Sequence, residues 1–106
     1  MVKQYEIYWI SLDPTVGKEI NKTRPGVVIS PDASNKHLDT VLIAPLTSTI
    51  RKFPMRVNVT LDEKNGQVAL DQIRCVDKVR LLNKAGKLSC KEVQNLKLIL
   101  KEYLID

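Results

Sequence analysis

The sequence predicts a mainly β fold, in which five to six short antiparallel strands form a small, partly closed barrel and an amphipathic helix follows at the C-terminal end. Short runs of β-branched and aromatic residues recur along the chain with polar turns between them. Helical periodicity appears only near the C-terminus, and strands do not alternate with helices as a parallel sheet requires. We expect the 106 residues to form a single domain, residues 1–106.

Residues 6–12 (EIYWISL) are predicted to form the first strand, because they are rich in β-branched and aromatic residues and stop at Asp13-Pro14, a turn-initiating pair. Residues 13–23 then make a connection that is long for a hairpin. Long loops in compact domains are often functional, so this loop is a candidate functional segment.

Two further strands follow in the first half of the chain. The second is expected at residues 27–30 (VVIS), directly after Pro25-Gly26, and the third at residues 40–47 (TVLIAPLT). Residues 31–39 between them are polar and are predicted to form a loop.

The next two segments are predicted to pair as a hairpin. In residues 55–61 (MRVNVTL) apolar and polar side chains alternate, which indicates one buried and one solvated face. Asn65-Gly66 is a strong turn signal, and we expect it to join this strand to residues 67–70 (QVAL) through a loop of about five residues.

The C-terminal part predicts a last strand and then a helix. Residues 76–82 (VDKVRLL) form the expected strand. Ser89 followed by Glu92 matches a capping box, and Leu88 with Val93 occupies the positions of a hydrophobic staple. Apolar residues then recur at helical spacing: Val93, Leu96, Ile99, Leu100, Tyr103 and Leu104.

The charge of the chain favours an anionic partner. The formal net charge is +5, and between Arg74 and Lys101 eight lysines and arginines oppose two acidic residues. RNA, DNA and acidic proteins are the partners that such a surface attracts, and charge alone does not choose among them.

Composition and motifs disfavour several other classes of protein. No segment reaches the ~20 apolar residues of a membrane span and none resembles a signal peptide, so we expect a cytoplasmic protein without membrane contact. Cys75 and Cys90 fit neither a metal-ligand spacing nor a disulfide framework, and they are expected to pack as buried, reduced side chains. Neither a cofactor nor a metal motif is present, and the single histidine, His37, is predicted to be an exposed loop residue.

The segment NKTRPGVVIS, residues 21–30, places Arg24 at the edge of a strand. Pro25 has a fixed φ and biases Arg24 toward an extended backbone, so the guanidinium can leave the strand in few directions. Its planar fork of donors suits phosphate oxygens, and a fixed cation is most useful where negative charge develops in a transition state. Pairing with a surface carboxylate is the commoner use of an arginine.

Two polar clusters follow apolar runs. Thr47, Ser48 and Thr49 end the third strand, where hydroxyls can hold a phosphate oxygen or a ribose hydroxyl, or simply form a turn. Asp71-Gln72, after QVAL, can cap backbone groups or contact a base edge.

Together these segments resemble the MazF/PemK family, the toxin half of bacterial toxin–antitoxin pairs. The resemblance extends from about Glu6 to Leu88 and rests on IYWISLDPTVGKE, KTRPGVVIS, IAPLTS and DQIR.VDKVRL, in the family's order and approximate spacing. It implies a homodimeric SH3-like barrel that is a ribosome-independent, sequence-specific and metal-independent endoribonuclease of single-stranded mRNA. Attack by the neighbouring 2′-hydroxyl would leave a 2′,3′-cyclic phosphate and a 5′-hydroxyl.

The resemblance also implies roles for individual residues. Arg24 and Thr47 match the family's usual catalytic pair. Because a guanidinium is effectively always protonated at neutral pH, we expect Arg24 to stabilise the charge of the phosphorane and to donate a proton, and not to act as a general base. Thr47 is expected to hydrogen-bond the scissile phosphate. Glu19 is the carboxylate available to accept the 2′-hydroxyl proton, or else a surface or base-contacting group.

The remaining expected contacts concern RNA and a protein partner. Lys18 and Lys22 are expected to face phosphates, while Ser48, Gln72 and Arg74 are candidate base or sugar contacts. Trp9 is expected in the core, with stacking on a base as the alternative. The implied protein partner is an antitoxin whose acidic, disordered segment folds across the groove.

One departure and two alternatives remain open. Many family members have a glycine before the first strand where this chain has Tyr5, which leaves the start of that strand undecided. A gyrase-poisoning toxin resembling CcdB would share the fold and act by protein binding, but it has no need of the KTRPGVV and PLTS segments. A noncatalytic RNA- or protein-binding barrel is the other alternative, which the presence of Arg24 and Thr47 disfavours.

Overall fold

The computed structural model describes residues 1–106, which form a curled antiparallel sheet of seven strands with a helix of 15 residues at the C-terminal end. The predicted mainly β barrel class is confirmed, with seven strands in place of five to six. The elements are β1 (Glu6–Ser11), β2 (Thr23–Val28), α1 (Asp32–His37), β3 (Thr40–Thr47), β4 (Arg56–Leu61), β5 (Lys64–Ala69), β6 (Arg74–Asp77), β7 (Leu81–Lys87) and α2 (Cys90–Leu104).

The strands lie in the order β4-β5-β3-β2-β1-β7, and β6 also pairs with β3. β3 therefore changes partner along one edge. Its first half pairs with β6, from Thr40 to Ile43, and its last two residues, Leu46 and Thr47, pair with β5. This change of partner curls the sheet into a half-barrel and leaves the end of β3 at the junction of several strands.

β2 begins at Thr23, earlier than the sequence predicted, and Pro25 lies inside it opposite Trp9 of β1. Proline is tolerated at this position because β2 pairs with β3 only from Gly26 onward, so no bond of that ladder needs an amide hydrogen at residue 25. Arg24 is thus part of a strand and not of the preceding loop.

The prediction for the β4–β5 turn was wrong. The turn is Asp62-Glu63, whose φ angles of 51° and 65° fit a two-residue hairpin loop with both residues left-handed. Asn65-Gly66 lies inside β5. Gly66 serves close packing, because a Cβ there would lie 3.0 Å from the carbonyl oxygen of Thr47.

Residues 31–39 are not simply a loop as predicted, since Asp32–His37 form the short helix α1. Its anchor is polar: Asn35 is buried, its amide donates to the carbonyl oxygen of Ser30 at 2.9 Å, and the Ser30 hydroxyl donates to Asn35 Oδ1 at 2.5 Å. Hydrophobic periodicity cannot detect such an anchor. His37, in the last turn, is exposed as predicted.

The predicted strand at residues 76–82 is divided in two. A 3₁₀ turn at Lys78–Arg80 separates β6 from β7, and the carboxylate of Asp77 accepts the amide hydrogen of Val79 at 2.9 Å. β7 then pairs with β1 as far as Lys87. A local hydrogen bond to Asp77 thus interrupts an apolar run that otherwise favours a continuous strand.

Both faces of the sheet carry buried residues. In β3, Ala44 and Leu46 belong to the larger hydrophobic cluster, which includes Leu96 of α2, while Val41 and Ile43 belong to a smaller one. Alternate residues of one strand point to opposite faces, so the two clusters lie on the two faces of the sheet.

The predicted start of α2 is confirmed. Ser89 Oγ accepts the amide hydrogen of Glu92 at 3.2 Å, and the Glu92 carboxylate accepts the amide hydrogen of Ser89 at 2.9 Å. Leu88 and Val93, the predicted staple pair, both pack in the larger cluster. The N-terminal half of the helix is thereby fixed on the sheet.

The C-terminal end of α2 is less covered than its apolar periodicity suggests. Leu96 is fully buried, but Tyr103 and Leu104 are 45% and 58% exposed. Neither helix has the length and apolarity that crossing a bilayer requires.

Cys75 and Cys90 are exposed free thiols, so the prediction that they are buried was wrong.

Tyr5 leads into β1 with a left-handed backbone, φ 71°. Its amide donates to the carbonyl oxygen of Val28 at 2.7 Å, and its carbonyl oxygen accepts the amide hydrogen of Leu88 at 3.0 Å. Its side chain packs against the larger cluster. Tyr5 therefore adopts a backbone conformation that glycine adopts without strain.

Candidate active site

Arg24 and Thr47 occupy matching positions at the ends of adjacent strands. The β2–β3 register pairs Gly26 with Pro45, and two further residues along each strand bring Arg24 opposite Thr47. Since side chains two apart share a face, Arg24 and Thr47 lie on the same face as that pair. The two strands are no longer paired at this point, because Thr47 pairs with Gln67 of β5, and a cavity opens between them.

This strand-end cavity has a volume of about 260 Å³ and is lined by two of the three predicted catalytic residues, Arg24 and Thr47, but not by Glu19. It is bounded by the ends of β2 and β3, by Trp9 of β1 and by the β4–β5 hairpin. The residues that line it are Trp9, Arg24, Pro25, Leu46, Thr47, Ser48, Leu61, Asp62, Lys64, Asn65 and Gly66.

Arg24 is held by one nitrogen and free at the others. Its Nε donates to the carbonyl oxygen of Asn21 at 2.9 Å, and its two Nη groups have no hydrogen bond or ion pair within the protein. The Asn21 carbonyl and the β2 backbone orient the guanidinium, while its terminal donors stay available for an anion.

Thr47 and Ser48 place two hydroxyls beside this guanidinium. Thr47 is buried, and its Oγ1 accepts the amide hydrogen of Thr49 at 3.1 Å, which leaves the hydroxyl hydrogen free to donate. The close approach of Gly66 fixes the backbone of Thr47 against β5. Ser48 is exposed at the rim of the strand-end cavity.

Trp9 is 41% exposed and lines the strand-end cavity, so the prediction that it lies in the core was wrong. An indole in this position can offer a flat apolar surface to a base. Lys64 and Asn65 also line the cavity and were missed, because the Asn-Gly pair was taken as a turn. The segment KNGQVA shows no alternation of apolar and polar residues, so the sequence pattern offered no signal that would have identified them.

A second cavity, of about 410 Å³, holds four of the other predicted residues. We call it the loop cavity; it is lined by Val16, Lys18, Glu19, Ile20, Pro45, Asp71, Gln72, Ile73 and Arg74. Pro45 precedes Leu46 of the strand-end cavity, so the two cavities adjoin along β3. The structure thus brings Lys18, Glu19, Gln72 and Arg74 together, separately from Arg24 and Thr47.

Several of these side chains are engaged within the protein. The carboxylate of Glu19 accepts the amide hydrogen of Val16 at 2.5 Å, and Gln72 and Arg74 hydrogen-bond to the backbone between β1 and β2. Lys22 is exposed, has a left-handed backbone with φ 65°, and lines neither cavity.

Asp71 is part of an ion pair on the rim of the loop cavity. Arg56 donates to its two oxygens at 2.7 Å and 3.1 Å, and the Phe53 ring lies 5.4 Å from the Arg56 guanidinium carbon. The hydrogen bond from Arg56 holds the pKa of the Asp71 carboxyl below its usual range, against the opposing effect of burial. The carboxylate thereby ties the segment after β5 to β4.

No cluster of three or more histidine, cysteine, aspartate or glutamate side chains in the chain is arranged to hold a metal ion.

Comparison with known proteins gives consistent matches. Residues 3–104 match the family model described as PemK-like, MazF-like toxin of type II toxin-antitoxin system. Over 90 residues the chain is 34% identical to Endoribonuclease EndoA of Bacillus subtilis (strain 168), an alignment that covers 79% of this chain and 78% of that protein.

Solved structures share the fold at lower identity. MazF (Form-I) from Deinococcus radiodurans superposes with a TM-score of 0.85 at 23% identity, covering 97% of this chain and 96% of that one. An endoribonuclease in complex with its cognate antitoxin from Mycobacterial species superposes with a TM-score of 0.84 at 22% identity, covering 98% and 95% of the two chains. At these identities the likeness shows a common fold.

Proposed function

The chain belongs to the PemK-like, MazF-like toxin family of type II toxin–antitoxin systems, and on that premise we propose that it is a ribosome-independent, sequence-specific endoribonuclease of single-stranded mRNA. The name of its relative EndoA supports the reaction class. The observation that carries the proposal is the position of Arg24 and Thr47, which line one cavity with the Nη groups of Arg24 unpartnered.

Arg24 and Thr47 can together hold one phosphodiester. The free Nη groups donate to non-bridging phosphate oxygens, and the Thr47 hydroxyl donates to the same phosphate. The 2′-oxygen of the preceding nucleotide forms a bond to phosphorus while the bond from phosphorus to the 5′-oxygen breaks. The products are a 2′,3′-cyclic phosphate and a 5′-hydroxyl, and the negative charge that grows on the phosphorane lies beside the guanidinium.

Two protons must move in this reaction. One proton leaves the 2′-hydroxyl, and a second proton reaches the departing 5′-oxygen. Arg24 or a water molecule can donate this second proton. We assign Glu19 as acceptor of the first proton, since one of its oxygens is free of hydrogen bonds. Because the attacking 2′-oxygen lies only about 3–3.5 Å from phosphorus, this assignment requires the Glu19 carboxylate to reach the scissile phosphate where the two cavities adjoin at Pro45.

The same path gives the other RNA contacts. A strand that crosses from the strand-end cavity to the loop cavity passes the ammonium of Lys18, with Lys22 on the exposed loop nearby and Ser48 at the rim. Trp9 is placed to stack on an unpaired base next to the cleaved bond, which favours single-stranded substrate.

We propose two protein partners, a second copy of the chain and an antitoxin. The net charge of +5 favours an antitoxin whose acidic, disordered segment covers the groove. Exposed apolar side chains at the end of α2, Leu98, Tyr103, Leu104 and Ile105, support association of two copies. The proposed site of action is the cytoplasm, where mRNA is found.

Cleavage of a long single-stranded RNA in EDTA, with mapping of the fragment ends, tests the proposed function. We expect discrete cuts whose upstream fragments end in cyclic phosphate and whose downstream fragments begin with a 5′-hydroxyl. RNA that stays intact, or cleavage that stops when the chelator is added, contradicts the proposal. Inhibition of DNA gyrase with intact RNA would instead support the CcdB-like alternative.

A further inference from the structure

The loop between β1 and β2, residues 12–22, is fastened by side chains from distant parts of the chain. Gln72 Oε1 accepts the amide hydrogen of Ile20 at 2.6 Å, across a separation of 52 residues. Arg74 Nη1 donates to the carbonyl oxygen of Leu12 at 2.9 Å, across 62 residues. These bonds join the loop to the segment between β5 and β6.

A second arginine fixes the start of the same loop. Arg80 Nη1 donates to the carbonyl oxygens of Ser11 and Asp13 at 3.1 Å and 2.6 Å. The loop therefore has two guanidinium anchors at its N-terminal end. At its C-terminal end, apart from Arg24 itself, Gln72 is the only side chain from outside the loop that holds the backbone.

The fastened loop in turn orients Arg24. Asn21, directly after the residue that Gln72 holds, supplies the carbonyl oxygen that accepts from Arg24 Nε at 2.9 Å. The next residue, Lys22, closes the loop, since its carbonyl oxygen accepts the amide hydrogen of Leu12 at 3.0 Å. Two hydrogen bonds, joined by the Ile20–Asn21 backbone, thus lead from Gln72 to the guanidinium.

We propose that Gln72 is a positioning residue for Arg24: it holds Ile20, and thereby the Asn21 carbonyl, at the place that aims the guanidinium into the strand-end cavity. This inference rests on the proposed function only for its effect on RNA cleavage. The orientation of Arg24 is a property of the free protein.

The positioning role and a direct contact between Gln72 and RNA would use different atoms of the Gln72 side chain. Positioning uses the acceptor oxygen Oε1, which the Ile20 amide already occupies. A direct contact would use the Nε2 donor, which has no partner within the protein. Glutamate keeps the acceptor and loses the donor, while leucine loses both at similar size.

The experiment compares Gln72→Glu, Gln72→Leu and the control Gln94→Leu, which makes the same change on the exposed surface of α2. With the Asn21 carbonyl released, the guanidinium is displaced, and a displacement of ~1 Å costs on the order of 10²-fold in rate. We expect kcat of Gln72→Leu to fall by about tenfold to a hundredfold with KM nearly unchanged. Gln72→Glu keeps the acceptor, so its kcat should fall less than tenfold while its added negative charge raises KM. Gln94→Leu should stay close to the parent in both kcat and KM.

NMR of the RNA-free protein gives a readout that does not depend on cleavage. In Gln72→Leu we expect faster hydrogen exchange at the Ile20 amide and a shifted, broadened Arg24 Nε–H signal, and in Gln72→Glu neither change. An unchanged Arg24 signal in Gln72→Leu overturns the inference, as does a rise of KM at constant kcat in both variants. If the parent protein does not cleave RNA, the proposed function fails, and the NMR comparison alone decides the role of Gln72.

Discussion

Replacing Arg24 by alanine removes the terminal donors that the structure leaves free for the scissile phosphate. In the folded protein the side chain makes one hydrogen bond, from Nε to the Asn21 carbonyl oxygen, and no ion pair. Its loss should cost the fold no more than about 1 kcal/mol. Nearly all of the effect should therefore fall on catalysis.

The magnitude follows from the two Nη groups. Removing one donor that stabilises a transition-state charge costs on the order of 10²–10³ in rate. Two such donors, each bonded to a phosphate oxygen, correspond to about 10⁴-fold or more, which is roughly 5 kcal/mol. Arg24→Lys should recover only part of this loss, because an ammonium can neither donate as a planar fork nor keep the Nε bond to Asn21.

Single-turnover cleavage of a short fluorogenic RNA measures this loss, and urea unfolding of the same protein measures stability. Arg51→Ala is the matched control: it removes the same charge from an exposed side chain outside both cavities. We expect the control to cleave within a few-fold of the parent. Cleavage by Arg24→Ala within tenfold of the parent would refute the assignment of Arg24.

Three further predictions concern other residues. Trp9 is the only tryptophan, so the fluorescence of the protein reports on this residue alone. Stacking on a base should quench that fluorescence when single-stranded RNA binds, and Trp9→Leu should weaken RNA binding by about 1–3 kcal/mol while Trp9→Phe loses less. Fluorescence unchanged by RNA contradicts stacking. Tyr5→Gly should be about 1–2 kcal/mol more stable to urea than Tyr5→Ala, because glycine adopts φ 71° without strain. At most positions alanine is the more stabilising of the two residues. Equal stability of the two variants would show that the backbone at residue 5 is unstrained. The hydrogen bond from Arg56 lowers the pKa of Asp71, so the ion pair stabilises the fold above the unfolded-state pKa, and this contribution is lost as the pH falls through the folded-state pKa. Asp71→Asn should therefore lower the urea midpoint near neutral pH and leave it unchanged in strong acid. A loss of stability that does not depend on pH would count against the ion pair.

Strands with a simple apolar pattern could be predicted closely from the sequence. β3 has the predicted bounds, Thr40–Thr47, and β1 and β4 differ from the prediction by one residue at one end. In each of these segments the buried side chains are themselves the periodic signal. The capping box at Ser89 was predictable for the same reason, since both partners lie within one turn.

Elements that depend on long-range contacts were not predictable in this way. Asn65-Gly66 has strong turn propensity, but Gly66 is required for contact with Thr47, and the turn falls at Asp62-Glu63. Likewise α1 depends on the bond between Asn35 and Ser30. Tertiary contacts of this kind override local propensity, and a single sequence does not display them.

The candidate site shows the same division. That Arg24 is restrained by Pro25 could be derived from local stereochemistry, whereas its position opposite Thr47 depends on strand register. The bonds of Gln72 and Arg74 to the β1–β2 loop join residues more than 50 positions apart. Their side-chain types were recognised as functional candidates, but their partners could be found only in the fold.

The most direct test of the central claim uses a short RNA with a single cleavage position and its counterpart with one 2′-deoxy nucleotide immediately before the cleaved bond. If Arg24 and Thr47 hold the phosphodiester while the ribose supplies the nucleophile, the deoxy RNA should bind with nearly the affinity of the parent RNA and should not be cleaved. Cleavage of the deoxy RNA at the same bond would show that the attacking oxygen comes from elsewhere and would contradict the mechanism proposed for this site.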